Sequence, residues 1–115
     1  MADLSGWVPV CRIDDLDVGR GVAALVRGHA VALFRTGADQ LHVLGNRDPF
    51  QPGTSLARGI VGRRGDVPFV ASPRHRRAFD LRTGRCLEDP HVTVPTYDVR
   101  VADGVVLVGG RLPAG

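Results

Sequence analysis

A chain of 115 residues, 43% hydrophobic and 23% charged, has the make-up of an ordinary globular protein and can bury one core without disulfide or metal staples; a single domain over residues 1–115 is expected. No apolar run approaches the ~18 residues that cross a membrane, and the first six residues carry neither the basic stretch nor the apolar core of a secretory leader, so a cytoplasmic protein with no membrane partner is expected. The net charge of +3 rests on arginine alone, with no lysine, and is too small by itself to dictate a polyanionic partner.

In chain order, Trp7 to Ile13 reads as a first strand, with Pro9 hinting at a sheet edge. A polar connection over residues 14–19 follows. Apolar runs at 21–26 and 30–35 flank a hairpin turn at Arg27-Gly28-His29, where glycine supplies positive φ. The chain turns again at 36–39 and enters an alternating strand at 40–44. Residues 54–58 have room for one helical turn. Short strands at 59–62 and 67–70 flank Arg63-Arg64-Gly65-Asp66, a turn rather than an adhesion signal. Strands at 78–81 and 85–88 flank a turn at 82–84, and residues 90–95 cross over. The chain closes with a hairpin of 96–101 and 105–108, whose Asp103-Gly104 is a strong two-residue turn signal. Many short strands with no helix of ten residues predict an all-β antiparallel sandwich or barrel.

Cys11 and Cys86 lie far apart and neither belongs to a Cys-x-x-Cys pair, which argues against a structural zinc site. Two buried free thiols in a reducing compartment are expected. The charge is uneven: residues 58–85 hold eight arginines and two acids, and the rest of the chain is acidic. Arginine makes bidentate contacts with carboxylate or phosphate, so this segment is either a solvated basic face or a binding surface.

Two loops stand out within a loop-bearing subdomain of about residues 44–86. The first runs from Gly45 to Gly53 through Asn46-Arg47-Asp48-Pro49-Phe50. The second runs from Ala71 to Leu81 through Ser72-Pro73-Arg74-His75. With cysteine at 46 and 72 and histidine at 48, the pair would read Cys-x-His and Cys-x-x-His, the ligand set of a Rieske 2Fe–2S centre. The Gly59-Ile60-Val61 step, Ser72-Pro73-Arg74-His75 and the Phe79-Asp80-Leu81-Arg82-Thr83-Gly84 hairpin resemble the Rieske ferredoxin pattern over almost the whole chain, 7–108.

Among Rieske-like chains this one resembles the small subunit of NAD(P)H-dependent assimilatory nitrite reductase, a family that commonly lacks the cluster ligands. The resemblance implies a Rieske-like fold and a role in the reduction of nitrite to ammonia. It implies a large subunit as partner, carrying FAD, a 4Fe–4S cluster and sirohaem and fed by NAD(P)H. The former cluster-ligand positions would be Asn46, Asp48, Ser72 and His75. An amide and a hydroxyl do not replace two thiolates, so no cofactor and no catalytic residue is expected in this chain. A mononuclear metal on Asp48 and His75 would have too few ligands. Asp48 is expected to pair with His75 or Arg74 across the loops, and Arg74, Arg76 and Arg77 are candidate partner-docking residues. His29, His42 and His91 are expected in turns or on the surface.

Two readings from other classes stand beside this one. A Rieske-type ferredoxin electron carrier would need the missing thiolates. A basic β-module binding nucleic acid would need aromatic stacking platforms among its arginines, and only 5% of the chain is aromatic. No P-loop or dinucleotide fingerprint is present.

Overall fold

The computed structural model describes residues 6–38, 40–73 and 77–113. Its strands are β1 (Val8–Arg12), β2 (Gly21–Val26), β3 (His29–Gly37), β4 (Gln40–Gly45), β5 (Ile60–Arg64), β6 (Val67–Ala71), β7 (Ala78–Asp80), β8 (Thr96–Ala102) and β9 (Val105–Arg111). Each strand pair is antiparallel. One sheet runs β1-β9-β8-β4-β3-β2 and a second runs β5-β6-β7. Helix among the described residues is confined to two 3₁₀ turns, Ile13–Asp15 and Leu56–Arg58. The all-β antiparallel expectation therefore holds, and β1, with its Pro9, is a sheet edge.

β3 organises the interior. Its run from Val31 to Phe34 is apolar and buried at consecutive positions because the strand is covered on both faces there. Ala32 and Phe34 join Leu44, Val70 and Phe79 in a core that glues the large sheet to the small one. Val31 and Leu33 join Leu16, Val43, Val106 and Val108 inside the curl of the large sheet. β1 and β2, the two ends of that sheet, approach each other and bring it toward a barrel. A strand with period-two side chains reaches two cores only if both of its residue sets are apolar.

The hairpins show where local chemistry set the path. Asp103 at φ 51° and Gly104 at φ 77° make the two-residue turn expected there. The β2–β3 turn is tighter than expected: Arg27 at φ 52° and Gly28 at φ 80° suffice, and His29 already belongs to β3. Likewise Arg63 and Arg64 extend β5, leaving Gly65 and Asp66 as the turn. The strand expected at 85–88 is only a bridged ribbon, with Phe79 opposite Cys86 and Arg85 opposite Thr93. Its bend needs Gly84, at φ 78°, where a Cβ would stand 2.1 Å from the Val94 carbonyl oxygen. Both cysteines are free thiols, but only Cys86 is buried; Cys11 lies in an edge strand and stays half-exposed.

Leu44 in β4 pairs with Thr96 in β8, so the chain leaves the large sheet at one point and returns beside it. Both loops and the small sheet lie in between. Replacing Phe34, fully buried, by alanine is expected to cost about 3–5 kcal/mol. Leu25→Ala, at a site 73% exposed, should stay within about 0.5 kcal/mol. Urea unfolding of the two variants checks this, and equal costs would count against the two-faced role of β3.

Candidate functional site

The first loop is closed on itself by backbone bonds. Asn46 N–H donates to Ala30 (3.0 Å), Leu56 N–H to the Asn46 carbonyl (2.8 Å), and Asp48 N–H to Thr54 (3.1 Å). The Asn46 side-chain oxygen accepts from the Ser55 hydroxyl and the Ala57 N–H, both at 2.9 Å. Asn46 thus ties the loop's entry to its exit. The Asp48 carboxylate turns back to accept the Phe50 N–H at 2.9 Å, the side-chain turn that Asp favours before a bend.

The second Asp48 oxygen accepts the hydroxyl of Ser72 on the second loop. Both residues are fully buried, and among the described residues no buried side-chain polar atom lacks a partner. Ser72 N–H donates to the Arg77 carbonyl at 2.8 Å, pinching the base of the second loop. Beside this polar link runs an aromatic one. The Arg77 guanidinium lies over the Phe50 ring, 4.1 Å from its centroid, and Phe50 packs 6.1 Å from Phe79 between centroids. The loops are therefore fastened twice, by Asp48 with Ser72 and by Arg77 with Phe50.

Arg74, His75 and Arg76 lie outside the described residues, and with them the expected pairing of Asp48 to His75 or Arg74. Asp48 already has a partner for each oxygen, Phe50 and Ser72. Sequence reasoning missed the Ser72 hydroxyl, the Ser55 hydroxyl and the Arg77–Phe50 stack. The Asp-Pro-Phe triplet was a legible signal for the local turn; the cross-loop contacts had none.

The hairpin after the second loop is held by charge. The Asp80 carboxylate takes the Arg82 backbone N–H at 2.9 Å and its guanidinium at 3.1 and 3.2 Å. Burial pushes the Asp80 carboxyl up, but these bonds outweigh it and hold the group below its ordinary range. Glu88 accepts the Ala78 N–H and the Arg64 guanidinium, each at 2.7 Å. Burial pushes its carboxyl up as well, but the bonds from Ala78 and Arg64 and the Arg64 charge outweigh it and hold the group below its ordinary range. Arg64 and Arg82 of the basic segment are thus paired within the fold. His42, expected at a turn or surface, instead sits half-buried in β4. Burial pushes its imidazole below the ordinary 6.5; Asp80 opposes that shift and Arg82 reinforces it.

A Rieske cluster sets a definite demand on these residues. It needs two thiolates and two imidazoles. The positions at 46, 48 and 72 offer an amide, a carboxylate and a hydroxyl, each engaged in hydrogen bonds within the protein, so the donor set does not fit the group. Among the described residues no three His, Cys, Asp or Glu side chains come together as a metal site.

Residues 6–109 match the Rieske-like [2Fe-2S] domain family. The nitrite reductase (NADH) small subunit of Salmonella typhimurium is 42% identical over 108 residues, covering 93% of this chain and all of that protein. A crystal structure assigned to the NADH-dependent nitrite reductase small subunit of Mycobacterium tuberculosis superposes with a TM-score of 0.86 at 43% identity, covering 95% of this chain and 96% of that one. The nitrite reductase [NAD(P)H] large subunit of Klebsiella oxytoca is 33% identical over 105 residues, 91% of this chain but 11% of that protein.

Ser72→Ala leaves a buried Asp48 oxygen without a donor and is expected to cost about 1–3 kcal/mol. A cycle of Ser72→Ala, Asp48→Ala and the double variant should show a coupling of about 0.5–3 kcal/mol in urea unfolding; strictly additive costs would mean the two do not act together. For His42 the folded state binds its proton less readily than the unfolded one. Its contribution is therefore fully present above the unfolded value of 6.5 and is lost as pH falls through the window down to the folded value. Stability measured from pH 8 to pH 5 should fall more steeply in the native chain than in His42→Phe; parallel curves would remove the assignment.

Proposed function

The chain belongs to the Rieske-like [2Fe-2S] domain family and, within it, to the nitrite reductase small subunits, and from that premise we propose that it serves its large subunit by docking, with no redox centre of its own. The observation that carries this reading is the buried Asp48–Ser72 hydrogen bond. It joins the two loops at positions that the resemblance assigns to cluster ligands, using oxygen donors where iron would need sulfur and nitrogen. Asn46, the third such position, is likewise spent on closing its own loop.

As part of an oxidoreductase complex the chain acts on nitrite reduction through its partner. FAD, a 4Fe–4S cluster and sirohaem would reside in the large subunit, supplied with electrons by NAD(P)H; this chain's residues offer shape and charge. The Klebsiella large subunit contains a segment alike to this chain, which supports a working position against the large subunit in the separate-chain case too. No helix among the described residues is long and apolar enough to cross a membrane, and the two free thiols suit the reducing cytoplasm.

The docking face in this reading is the second loop, with Arg74, Arg76 and Arg77. Arg77 has no carboxylate partner among the described residues, and its stacking on Phe50 holds a planar cation ready for one. Titrating the small chain into the isolated large subunit across a salt series tests this. Wild type, purified free of iron, should bind and support nitrite-dependent NAD(P)H oxidation. The triple variant Arg74→Ala, Arg76→Ala, Arg77→Ala should still fold, less stably by the lost Arg77–Phe50 stack, and should associate more slowly with a flatter salt dependence. Identical rates and salt slopes would remove these arginines from the interface. Iron and sulfide at two per chain would overturn the cluster-free role.

A further inference from the structure

The small sheet has one covered edge and one open edge. β7 is flanked by the bridged ribbon at Arg85–Glu88, with Asp80 N–H donating to Arg85 and Leu87 N–H to Ala78. β5 is flanked by β6 on one side and, among the described residues, by no strand on the other. The direction of its backbone groups follows from one bond. Leu81 N–H donates to the Pro68 carbonyl, so Pro68 points toward β7. In an antiparallel pair, directly opposed residues either bond each other or both face away. Arg63 is opposite Pro68 and therefore faces away from β6, and by the period of two Val61 does the same. Ile60, Gly62 and Arg64 spend their amides on β6; Val61 and Arg63 turn theirs outward.

Those outward groups line a groove. Its deeper part, about 570 Å³, lies between Ala57–Val61 and the segment from Asp15 to Val22. It continues for about 380 Å³ between Val61–Arg63 and Val18, Gly19 and Thr36. The far wall includes the start of β2, the open edge of the large sheet. The groove thus separates the free edges of both sheets. Two large apolar side chains stand exposed on its lips, Val18 at 58% and Ile60 at 66%. The two walls differ in charge: Asp15, Asp17 and Arg20 stand on one side, and Arg58 and Arg63, with no acid, on the other.

We propose that this groove receives an extended segment of the large subunit, which pairs antiparallel or parallel with β5 through the outward N–H and C=O groups of Val61 and Arg63. The inference rests on the large-subunit partnership above and adds, beside the second loop, a further place of contact and its mode. Backbone pairing supplies attachment in this mode of recognition, and alternate side chains supply specificity. The walls state what the segment carries: a carboxylate toward Arg58 and Arg63, and an apolar residue between Val18 and Ile60. The five residues of β5 span about 17 Å at ~3.3 Å per residue, enough for a short strand.

The experiment is hydrogen exchange, residue by residue, on the small chain alone and in complex with the intact large subunit. In the complex the Val61 and Arg63 amides should exchange at least about tenfold more slowly, while Ile60, Gly62 and Arg64 should be protected already in the free chain. Ile60→Ser should weaken the complex about tenfold or more, and Leu25→Ser, an equally exposed apolar change on β2 beyond the groove, should leave it unchanged. A complex that forms with Val61 and Arg63 unprotected overturns the groove assignment and leaves the partnership standing. Protection that grows with the concentration of the small chain alone assigns the edge to a second copy and overturns it too. Failure to form any complex overturns both readings.

Discussion

A carboxylate and a hydroxyl, buried together where two loops meet, set the terms for this half of the molecule. Asp48 is fully enclosed, and an enclosed carboxyl group is tolerated only when its oxygens are matched by donors. One donor is local, the Phe50 amide; the other comes from Ser72, on a loop that the chain reaches only after two further strands. The match fixes the relative position of the loops, and that position in turn lays Phe50 against Phe79 and beneath Arg77. Remove the polar match and the aromatic contacts lose the frame that aligns them. Ordering two loops has an entropic cost; here a hydrogen bond and a cation–π stack join them.

The second constraint is the two-sided burial of β3. Because Ala32 and Phe34 serve one core while Val31 and Leu33 serve the other, the curled sheet and the loop-bearing half share a wall one strand thick. Any shift of β3 by one residue would exchange the two sets and place phenylalanine where valine packs. β4 repeats the arrangement with Leu44 and Val43. The loops are thus mounted on strands whose register is specified twice over.

The sequence carried most of the architecture. Strand spacing, the Asp103-Gly104 turn and the edge proline of β1 all follow from local chemistry. What stayed hidden was non-local. Arg27 takes a positive φ because the twist of β2 and β3 demands a tight turn, although arginine has no preference for that region. The strand expected at 85–88 lacks a full partner and becomes a ribbon pinned by Glu88. His42 alternates correctly in its strand, but only the approach of Asp80 and Arg82 from the small sheet places it at a junction. Within the loops the unusual residues at 46, 48 and 72 could be picked out by position, whereas the pairing of Asp48 with Ser72 depends on the path of the second loop. Three residues of that loop lie outside the described structure, so the role of His75 rests on its place in the chain.

The pairing of Leu44 with Thr96 has a consequence for how such a chain can change over time. Everything from Asn46 to Pro95 hangs from two adjacent strands, so its ends meet in space as those of an inserted domain do. The insert is a cassette. Mutations can erode a metal site inside it, or reshape its tips for a new partner, while the barrel keeps its own closure and register. Such changes are confined to a graft whose attachment points, Leu44 and Thr96, lie in the large sheet.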